Sequence, residues 1–325
     1  MILNNIESIK YFIPELVLVL GILSVILFDL SAKMKKYVHG ITLTTVLLTQ
    51  ILFAVNNNFI DQPISLFMGM IVIDPFANYF KWIIQFSTFF ILLLSPFDKS
   101  VDKDYKSEFN ALLLITYLGL LLMVGSINLI MIYLAIELVS IPSYILAGFT
   151  KNDKDSNEAS LKYIIFGSFA SGLMLFGLSW LYGIAGSTDI FVISSALSTS
   201  SSSLMIFISL ILVLTGLGYK ISMFPFHYWT PDVYQGSPTP VTAFLSVAPK
   251  AAGIAMLIRI FYILFTNNAG VESTSFIHDI NWPLVIAVLS ACTMTIGNIL
   301  AIQQDNVKRI LAYSSIAHVG FMLMA

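Results

Sequence analysis

Runs of about 20 mostly apolar residues, long enough to cross a bilayer as an α-helix, recur along almost the whole chain. Hydrophobic residues make up 58% of the 325 residues and charged residues 10%, whereas average globular domains are about 25% charged. Because backbone groups in lipid must be paired within the segment, such runs form helices. The sequence therefore predicts an all-α polytopic membrane protein in the lipid bilayer. Its ten predicted transmembrane helices cover 11–30, 37–55, 76–95, 109–126, 128–149, 159–182, 204–235 (broken), 240–265, 284–303 and 308–325.

Basic residues between the predicted spans indicate which side of the membrane each loop faces. With the N-terminus outside, ten loop residues obey the positive-inside rule, and only Lys10 lies on the outer side. The basic residues expected on the inner side are Lys33, Lys35, Lys36, Lys99, Lys103, Lys106, Lys151, Lys154, Lys308 and Arg309. This asymmetry predicts an N-terminus on the outer side.

Two segments outside the spans carry structural signals of their own. The stretch 64–73 is apolar but too short to span as a helix, so it is expected to form a strand or to pack over the outer face. Within the serine-rich loop 187–203, residues 189–197 are predicted to form a short amphipathic element on the outer surface.

The composition excludes several kinds of site in this chain alone. Cys292 is the single cysteine, which rules out a disulfide, a cysteine zinc site and a self-contained iron–sulfur cluster. No dinucleotide-binding or P-loop spacing occurs, and no basic patch indicates nucleic acid. Lysine is a poor metal ligand and the histidines lie far apart in sequence. We therefore expect no metal site and no cofactor-binding residues.

Ionisable residues inside the apolar spans are the main functional signal, because a lysine at the bilayer centre costs about 2.5–3.5 kcal/mol on insertion scales. Glu137 lies about 14 Å below the outer end of its predicted helix, and Lys250 about 15 Å from the inner end. Neither side chain reaches the interface by snorkelling from that depth. Both are predicted to transfer charge, with a buried protonated acid as the alternative for Glu137.

The run 204–235 is too long for one straight helix, since it would measure about 48 Å against a hydrocarbon core of about 30 Å. Its two prolines each remove a backbone donor, which predicts a break within 219–225. Unwound backbone at this depth is tolerated only beside protein or a wet cavity, so Lys220 is predicted to face a hydrated interior. His227 either relays a proton or is a hydrogen-bonded buried histidine.

The other ionisable residues in the spans allow more than one interpretation. Lys162 lies about 8–9 Å inside its helix, where it either snorkels to the inner surface or pairs with Glu137 on the preceding helix. His318 is a candidate relay, with a structural role equally open. Lys81 and Arg259 are interpreted as interface anchors. The acids near helix ends, which are expected to be solvated, are Glu15, Asp29, Asp74 and Asp305.

Four sequence motifs carry a resemblance to a known family: YLAIELVSIPSYIL, EASLKYIIFGSFASG, KISMFPFHYWTPDVYQGSPTPVTAFLSVAPKAA and NVKRILAYSSIAHVGF. Together they resemble the antiporter-like membrane subunits of proton-pumping NADH:quinone oxidoreductase, respiratory complex I, over essentially all 325 residues. The tetrapeptide Pro249-Lys250-Ala251-Ala252 favours the subunit N branch over the L and M branches and over Mrp-type cation/proton antiporters.

The resemblance implies two inverted five-helix repeats, each with a broken helix. Residues 1–108 would hold the N-terminal helices one to three, 109–265 the first proton-translocating repeat, and 284–325 the first two helices of the second. Members of the family continue well past the length of this chain and carry a further lysine on a later helix. The chain is therefore expected to be truncated at its C-terminus.

The resemblance also implies a proton path through Glu137, Lys162, Lys220 and Lys250, with His227 as a neighbour in the proton wire. It implies no cofactor in this subunit, because NADH, FMN, iron–sulfur clusters and quinone belong to other chains. The implied partners are the L and M subunits, small helical subunits and the peripheral redox arm. The implied location is a bacterial inner membrane, with the N-terminus periplasmic.

Two other functions remain open at this point. A subunit of a cation/proton antiporter of the Mrp type would use the same scaffold without redox partners. A purely structural subunit would carry the lysines without using them, and substituting the lysines would then impair assembly instead of pumping.

Overall fold

A computed structural model describes residues 2–31, 33–57, 62–98, 100–101, 105–199, 203–266 and 282–325. Lys99 and Lys103, which were used to predict the topology, lie outside the described residues. The helices are α1 (Asn5–Ile9), α2 (Ile13–Asp29), α3 (Val38–Asn57), α4 (Pro75–Leu94), α5 (Lys106–Gly125), α6 (Leu129–Ala147), α7 (Lys154–Ala185), α8 (Ile190–Thr199), α9 (Ser203–Ile221), α10 (Trp229–Gly236), α11 (Thr239–Thr266), α12 (Trp282–Ile302) and α13 (Val307–Met324). The two strands are β1 (Ile64–Leu66) and β2 (Ile71–Ile73).

The observed helices confirm the all-α membrane class. Eight of the described helices are long and apolar enough to cross a membrane, namely α3 to α7, α9, α11 and α12. The two other predicted spans correspond to α2, with 17 residues, and α13, with 18 residues. Both lie near the lower end of the length range for a membrane helix, so their crossing stays a prediction.

Helix α5 forms the centre of the bundle and is buried along most of its length. It contacts α2, α3, α4, α6 and α11. Helices α7 and α12 instead leave most of their apolar surface exposed, which is the pattern of helices that face lipid or another membrane protein. The core therefore lies around α5, α9 and α11, which are the most deeply buried of the candidate spans, and this core positions the charged residues described below.

The short segments outside the long helices have the predicted character. Strands β1 and β2 form an antiparallel hairpin with Ile64 opposite Ile73, packed against Leu3 and Phe12 near the N-terminus. Helix α8 coincides with the predicted amphipathic element, and its Ser194 hydroxyl donates to the carbonyl of Ile263 on α11 at 2.9 Å. Residues 200–202 of this loop lie outside the described chain.

The predictions for Lys81, Arg259 and Glu15 are wrong, and Asp74, which was expected to be solvated, is only partly exposed, at 17% of its side chain. Lys81 is 3% exposed, and its ammonium group donates to the buried Glu15 carboxylate at 2.7 Å. Arg259 is 7% exposed and forms two hydrogen bonds, of 2.8 and 2.9 Å, with Asp74. Both cations have partners far away in sequence, which helical spacing alone does not reveal.

Candidate functional site

The predicted break is real: the chain unwinds over 222–228, between α9 and α10. Neighbouring residues satisfy backbone groups that the broken helix leaves free. The indole N–H of Trp229 donates to the carbonyl of Tyr219 at 3.1 Å. The amide N–H of Phe224 donates to the Thr293 hydroxyl on α12 at 3.1 Å. The unwound segment is thus held by protein, which is the condition for irregular backbone at membrane depth.

Aromatic residues fix the two arms of the broken helix to α7. Tyr163 on α7 stacks on Trp229, with ring centroids 4.4 Å apart and planes inclined by 12°. The Tyr219 hydroxyl on α9 donates to the Tyr163 carbonyl at 2.8 Å. Both arms therefore contact the same turn of α7, and this contact fixes where the last turn of α9 directs its side chains.

Lys220 lies in that last turn and is 3% exposed. Its ammonium group donates to the Ser140 hydroxyl on α6 at 3.0 Å, and Ser140 donates to its own helix at the Ile136 carbonyl, at 2.7 Å. Glu137 lies one turn before Ser140 on α6, the helix that the Lys220 ammonium group contacts. The lysine predicted to face the interior does so, beside the predicted acid.

Lys250 has a matching environment near the middle of α11, where it is 2% exposed. Its ammonium group donates to the Ser315 hydroxyl on α13 at 2.7 Å, and Ser315 donates to the Ala312 carbonyl at 2.7 Å. The ammonium nitrogen also lies 5.5 Å from the centroid of the Tyr234 ring, a favourable cation–π distance.

The two lysines thus share one arrangement, in which a buried ammonium group meets a neutral hydroxyl on another helix. An ammonium group has three donors, and the serine uses one of them among the residues that the structure describes. A buried charge without a paired carboxylate is costly. Such a lysine either attracts internal water or releases its proton, which suits a group that exchanges protons.

The predicted pair between Glu137 and Lys162 is not formed. Glu137 is half-buried and instead accepts a short hydrogen bond from the Ser171 hydroxyl on α7. Lys162 directs its ammonium group to Asp232 at 2.6 Å and to Glu158 at 2.7 Å. The physical reason is proximity, because Glu158 lies one turn away on α7 and α10 packs against the same helix.

Asp232 is a candidate residue that the sequence analysis missed. One of its carboxylate oxygens accepts from Lys162, and the other accepts from Arg309 of α13 at 2.6 Å. It therefore joins α7, α10 and α13 through charge. The sequence signal that could have identified it is its position directly after Pro231, in the second arm of the broken helix. An acid there lies close to the other charged residues around the break.

The two candidate histidines have different environments. His227 is 2% exposed in the unwound segment, its Nδ1 has no hydrogen-bond partner among the described residues, and its ring stacks on Tyr228 at 4.4 Å. His318 is exposed on α13, with its ring 5.9 Å from that of Phe321. Within the described chain, no three histidine, cysteine or acidic side chains come together to hold a metal ion.

Comparison with known proteins assigns this chain to a family. Residues 126–325 match the family described as "NADH:quinone oxidoreductase/Mrp antiporter, TM". A NADH-quinone oxidoreductase subunit N from Anaeromyxobacter sp. (strain Fw109-5) is 40% identical, with 99% of this chain and 64% of that protein aligned. One from Chlorobium chlorochromatii (strain CaD3) is 41% identical over 98% of this chain and 62% of that protein. The chain thus spans slightly less than two thirds of these relatives.

Solved structures agree on the fold. A chain of respiratory complex I from Thermus thermophilus with bound aureothin superposes with a TM-score of 0.77 at 30% identity, covering 95% of this chain and 63% of that one. A chain of the Mrp complex from Dietzia sp. DQ12-45-1b superposes with a TM-score of 0.79 at 18% identity, covering 98% and 58%. The latter likeness concerns the fold alone. On the evidence of the family match, this chain belongs to the NADH:quinone oxidoreductase/Mrp antiporter family of multi-pass membrane proteins.

Proposed function

We propose that this chain is a proton-translocating membrane subunit of NADH:quinone oxidoreductase, of the subunit N type. The observation that carries the proposal is the pair of buried lysines, Lys220 and Lys250, each hydrogen-bonded to a serine of another helix. Relatives of about 40% identity that carry the name NADH-quinone oxidoreductase subunit N support it. Electron transfer would take place in partner subunits, which would hold NADH, FMN, iron–sulfur clusters and quinone.

In the proposed mechanism, protons move between lysines through internal water. In it the Glu137 carboxylate would stabilise the Lys220 ammonium group, because Lys220 contacts Ser140 one turn from Glu137 on the same helix and opposite charges attract each other at low dielectric. A movement that separates Glu137 from Lys220 would then release the lysine proton. Lys250 would receive it, with His227 as a neighbouring relay, since imidazole both accepts and donates protons near neutral pH.

Lys162 has a different place in this proposal. Its pairing with Asp232 and Glu158 puts it in a charged cluster at the predicted inner end of α7. There it would stay charged while both carboxylates are in contact, and would deliver its proton to the path when they move away. His318 lies on an exposed face of α13, so a relay through it would require contact with a further segment or subunit.

The setting of the subunit is proposed as well. We place the chain in a bacterial inner membrane with its N-terminus on the periplasmic side, because the basic loop residues then face the cytoplasm. Its partners would be the antiporter-like L and M subunits, small helical subunits and the peripheral redox arm.

Substitution of the proton-transferring residues tests the function. Lys220→Ala and Glu137→Gln are expected to abolish proton pumping coupled to NADH oxidation while leaving the complex assembled. Lys151→Ala, which removes an exposed lysine after α6, is the matched control and should pump normally. Wild-type ratios of protons to electrons in both Lys220→Ala and Glu137→Gln would reject the role.

The alternative is a subunit of a cation/proton antiporter, which the shared family description keeps open. Co-purification separates the two functions. Partners with flavin and iron–sulfur absorption support NADH:quinone oxidoreductase, whereas exclusively membrane-embedded partners without either group support an antiporter.

A further inference from the structure

The buried ion pair between Glu15 and Lys81 lies outside the proposed proton path, on α2 and α4. Both side chains are almost fully buried, at 4% and 3% exposure, and the ammonium nitrogen lies 2.7 Å from the carboxylate oxygen. From α3, the Phe53 ring faces the ammonium group at 5.7 Å. From α5, Tyr117 lies within Coulombic range of Glu15. The pair is therefore enclosed by four helices and kept away from lipid.

Polar groups around the pair have no protein partner among the described residues. The side-chain oxygen and nitrogen of Gln85 are both buried and unpaired, and so is the Tyr117 hydroxyl. Gln85 and Tyr117 are each 0% exposed. Gln85 follows Lys81 by four residues, so both face the same side of α4. Buried polar groups of this kind are normally satisfied by ordered water, and several in one place indicate a hydrated pocket.

A polar stripe connects this pocket to one end of α4. Its members recur at intervals of three and four residues, which places them on one face of the helix. The stripe consists of Asp74, Asn78, Lys81, Gln85 and Thr88. Asp74 caps the helix and its side chain is 17% exposed, while the buried side-chain oxygen of Asn78 is unpaired. Water therefore has polar partners from the surface at Asp74 to the ion pair.

We propose that Glu15 and Lys81 form a second proton-exchange site, reached by water from the Asp74 end of α4. The chemical step is transfer of one proton from the Lys81 ammonium group to the Glu15 carboxylate, which yields a neutral amine and a carboxylic acid. The neutral amine then accepts a proton from water along the stripe and the carboxylic acid returns one to that water, which restores the ion pair, so protons exchange without a net change of charge. A neutral pair avoids the desolvation cost of two buried ions, so both charge states are accessible in this pocket.

Infrared spectroscopy of the native membrane complex tests the site. In the wild type we expect a carboxylic-acid C=O band, from the neutral form of the pair, that shifts in D₂O. Glu15→Gln should lose this band, and Glu108→Gln, which removes an exposed acid of α5, should keep it. A wild-type spectrum without such a band overturns the proposal, as does a band that persists in Glu15→Gln.

Where Glu15→Gln does not assemble, the double variant Glu15→Gln/Lys81→Met removes both charges and avoids an isolated buried ammonium group. It should assemble and also lack the band. Retention of the band in this double variant overturns the proposal.

The water route has its own control on the same helix. Asn78→Leu, between Asp74 and the pair, should slow deuterium exchange of the band by tenfold or more. Thr88→Val lies beyond the pair and should leave the exchange rate unchanged. Equal rates in the two variants would rule out access from the Asp74 end. Because pumping through Lys220 is measured separately, failure here leaves the proposed function untouched.

Discussion

At the scale of single residues, the nature of the partner distinguishes the charged side chains. Lys220 and Lys250 meet serine hydroxyls in the interior, whereas Lys162 lies between two carboxylates. A hydroxyl does not offset a buried positive charge as a carboxylate does. The first two lysines are thus suited to change their charge, and Lys162 is held charged near the end of its helix.

Asp232→Asn tests the role of the missed acid. Asp232 is 30% exposed, and its partners Lys162 and Arg309 are 36% and 27% exposed, so loss of the two pairs should cost only about 2 kcal/mol of stability or less. Pumping should nevertheless fall severalfold, because Lys162 and Arg309 lose the carboxylate that joins them. Proton-to-electron ratios and thermal stability of the purified complex measure the two effects. Glu158→Gln is the control, and equal pumping in both variants would contradict a special role for Asp232.

At the scale of elements, the close packing of α7 against α9 fixes the position of the first arm of the broken helix. Small residues let membrane helices pack closely, and Gly177 does so where α7 meets α9. A Cβ atom there would lie 2.7 Å from the Ser209 carbonyl oxygen and 2.8 Å from the Leu212 Cβ. The position of α9, and with it the position of Lys220, depends on this contact.

A pair of alanine substitutions in α7 tests that dependence. Gly177→Ala should destabilise the protein by about 1–3 kcal/mol, the usual cost of overpacking, and should also lower pumping by displacing α9. At Gly172 of the same helix a Cβ atom meets nothing within 4 Å, so Gly172→Ala should be neutral or slightly stabilising. Thermal unfolding of the detergent-solubilised complex reports both values. Equal stability of the two variants would show that the close contact is unimportant.

At the scale of the whole molecule, buried ion pairs join parts of the chain that are far apart in sequence. Asp74 at the start of α4 and Arg259 on α11 are 185 residues apart, and Arg259 also donates to the Val124 carbonyl on α5 at 3.1 Å. This cluster ties the N-terminal helices to the region with the buried lysines. Neither region is therefore held in place by its own contacts alone.

Two substitutions of Asp74 separate its ion pair from its helix cap, since Asp74 also accepts from the amide of Ala77 at 2.7 Å. Asp74→Asn keeps a capping oxygen but leaves Arg259 unpaired, and should cost about 3–5 kcal/mol. Asp74→Ala should cost about 1 kcal/mol more, because the cap is lost too. Thermal unfolding measures both, with the exposed Lys10→Met as control. A loss near zero for Asp74→Asn would show that the pair does not stabilise the bundle.

Much of the site was predictable from the sequence. A lysine in an apolar run is either buried or reaches the interface by snorkelling. The helix break at Lys220 and the depth of Lys250 favoured burial, and both side chains are buried. The partner of Lys162 was not predictable, because consecutive helices suggested Glu137 whereas packing of α10 on α7 brings in Asp232. The same limit applies to Lys81, whose partner Glu15 lies 66 residues away.

The membrane class, the helices and the break between α9 and α10 could all be predicted from local sequence patterns, because hydropathy, run length and proline act locally along the backbone. Which charged side chains meet depends instead on helix packing, since an ion pair forms between the faces that packed helices turn towards each other. The serine partners of the two lysines, the bridging role of Asp232 and the polar stripe of α4 all depend on helix rotation, which local sequence patterns leave undetermined.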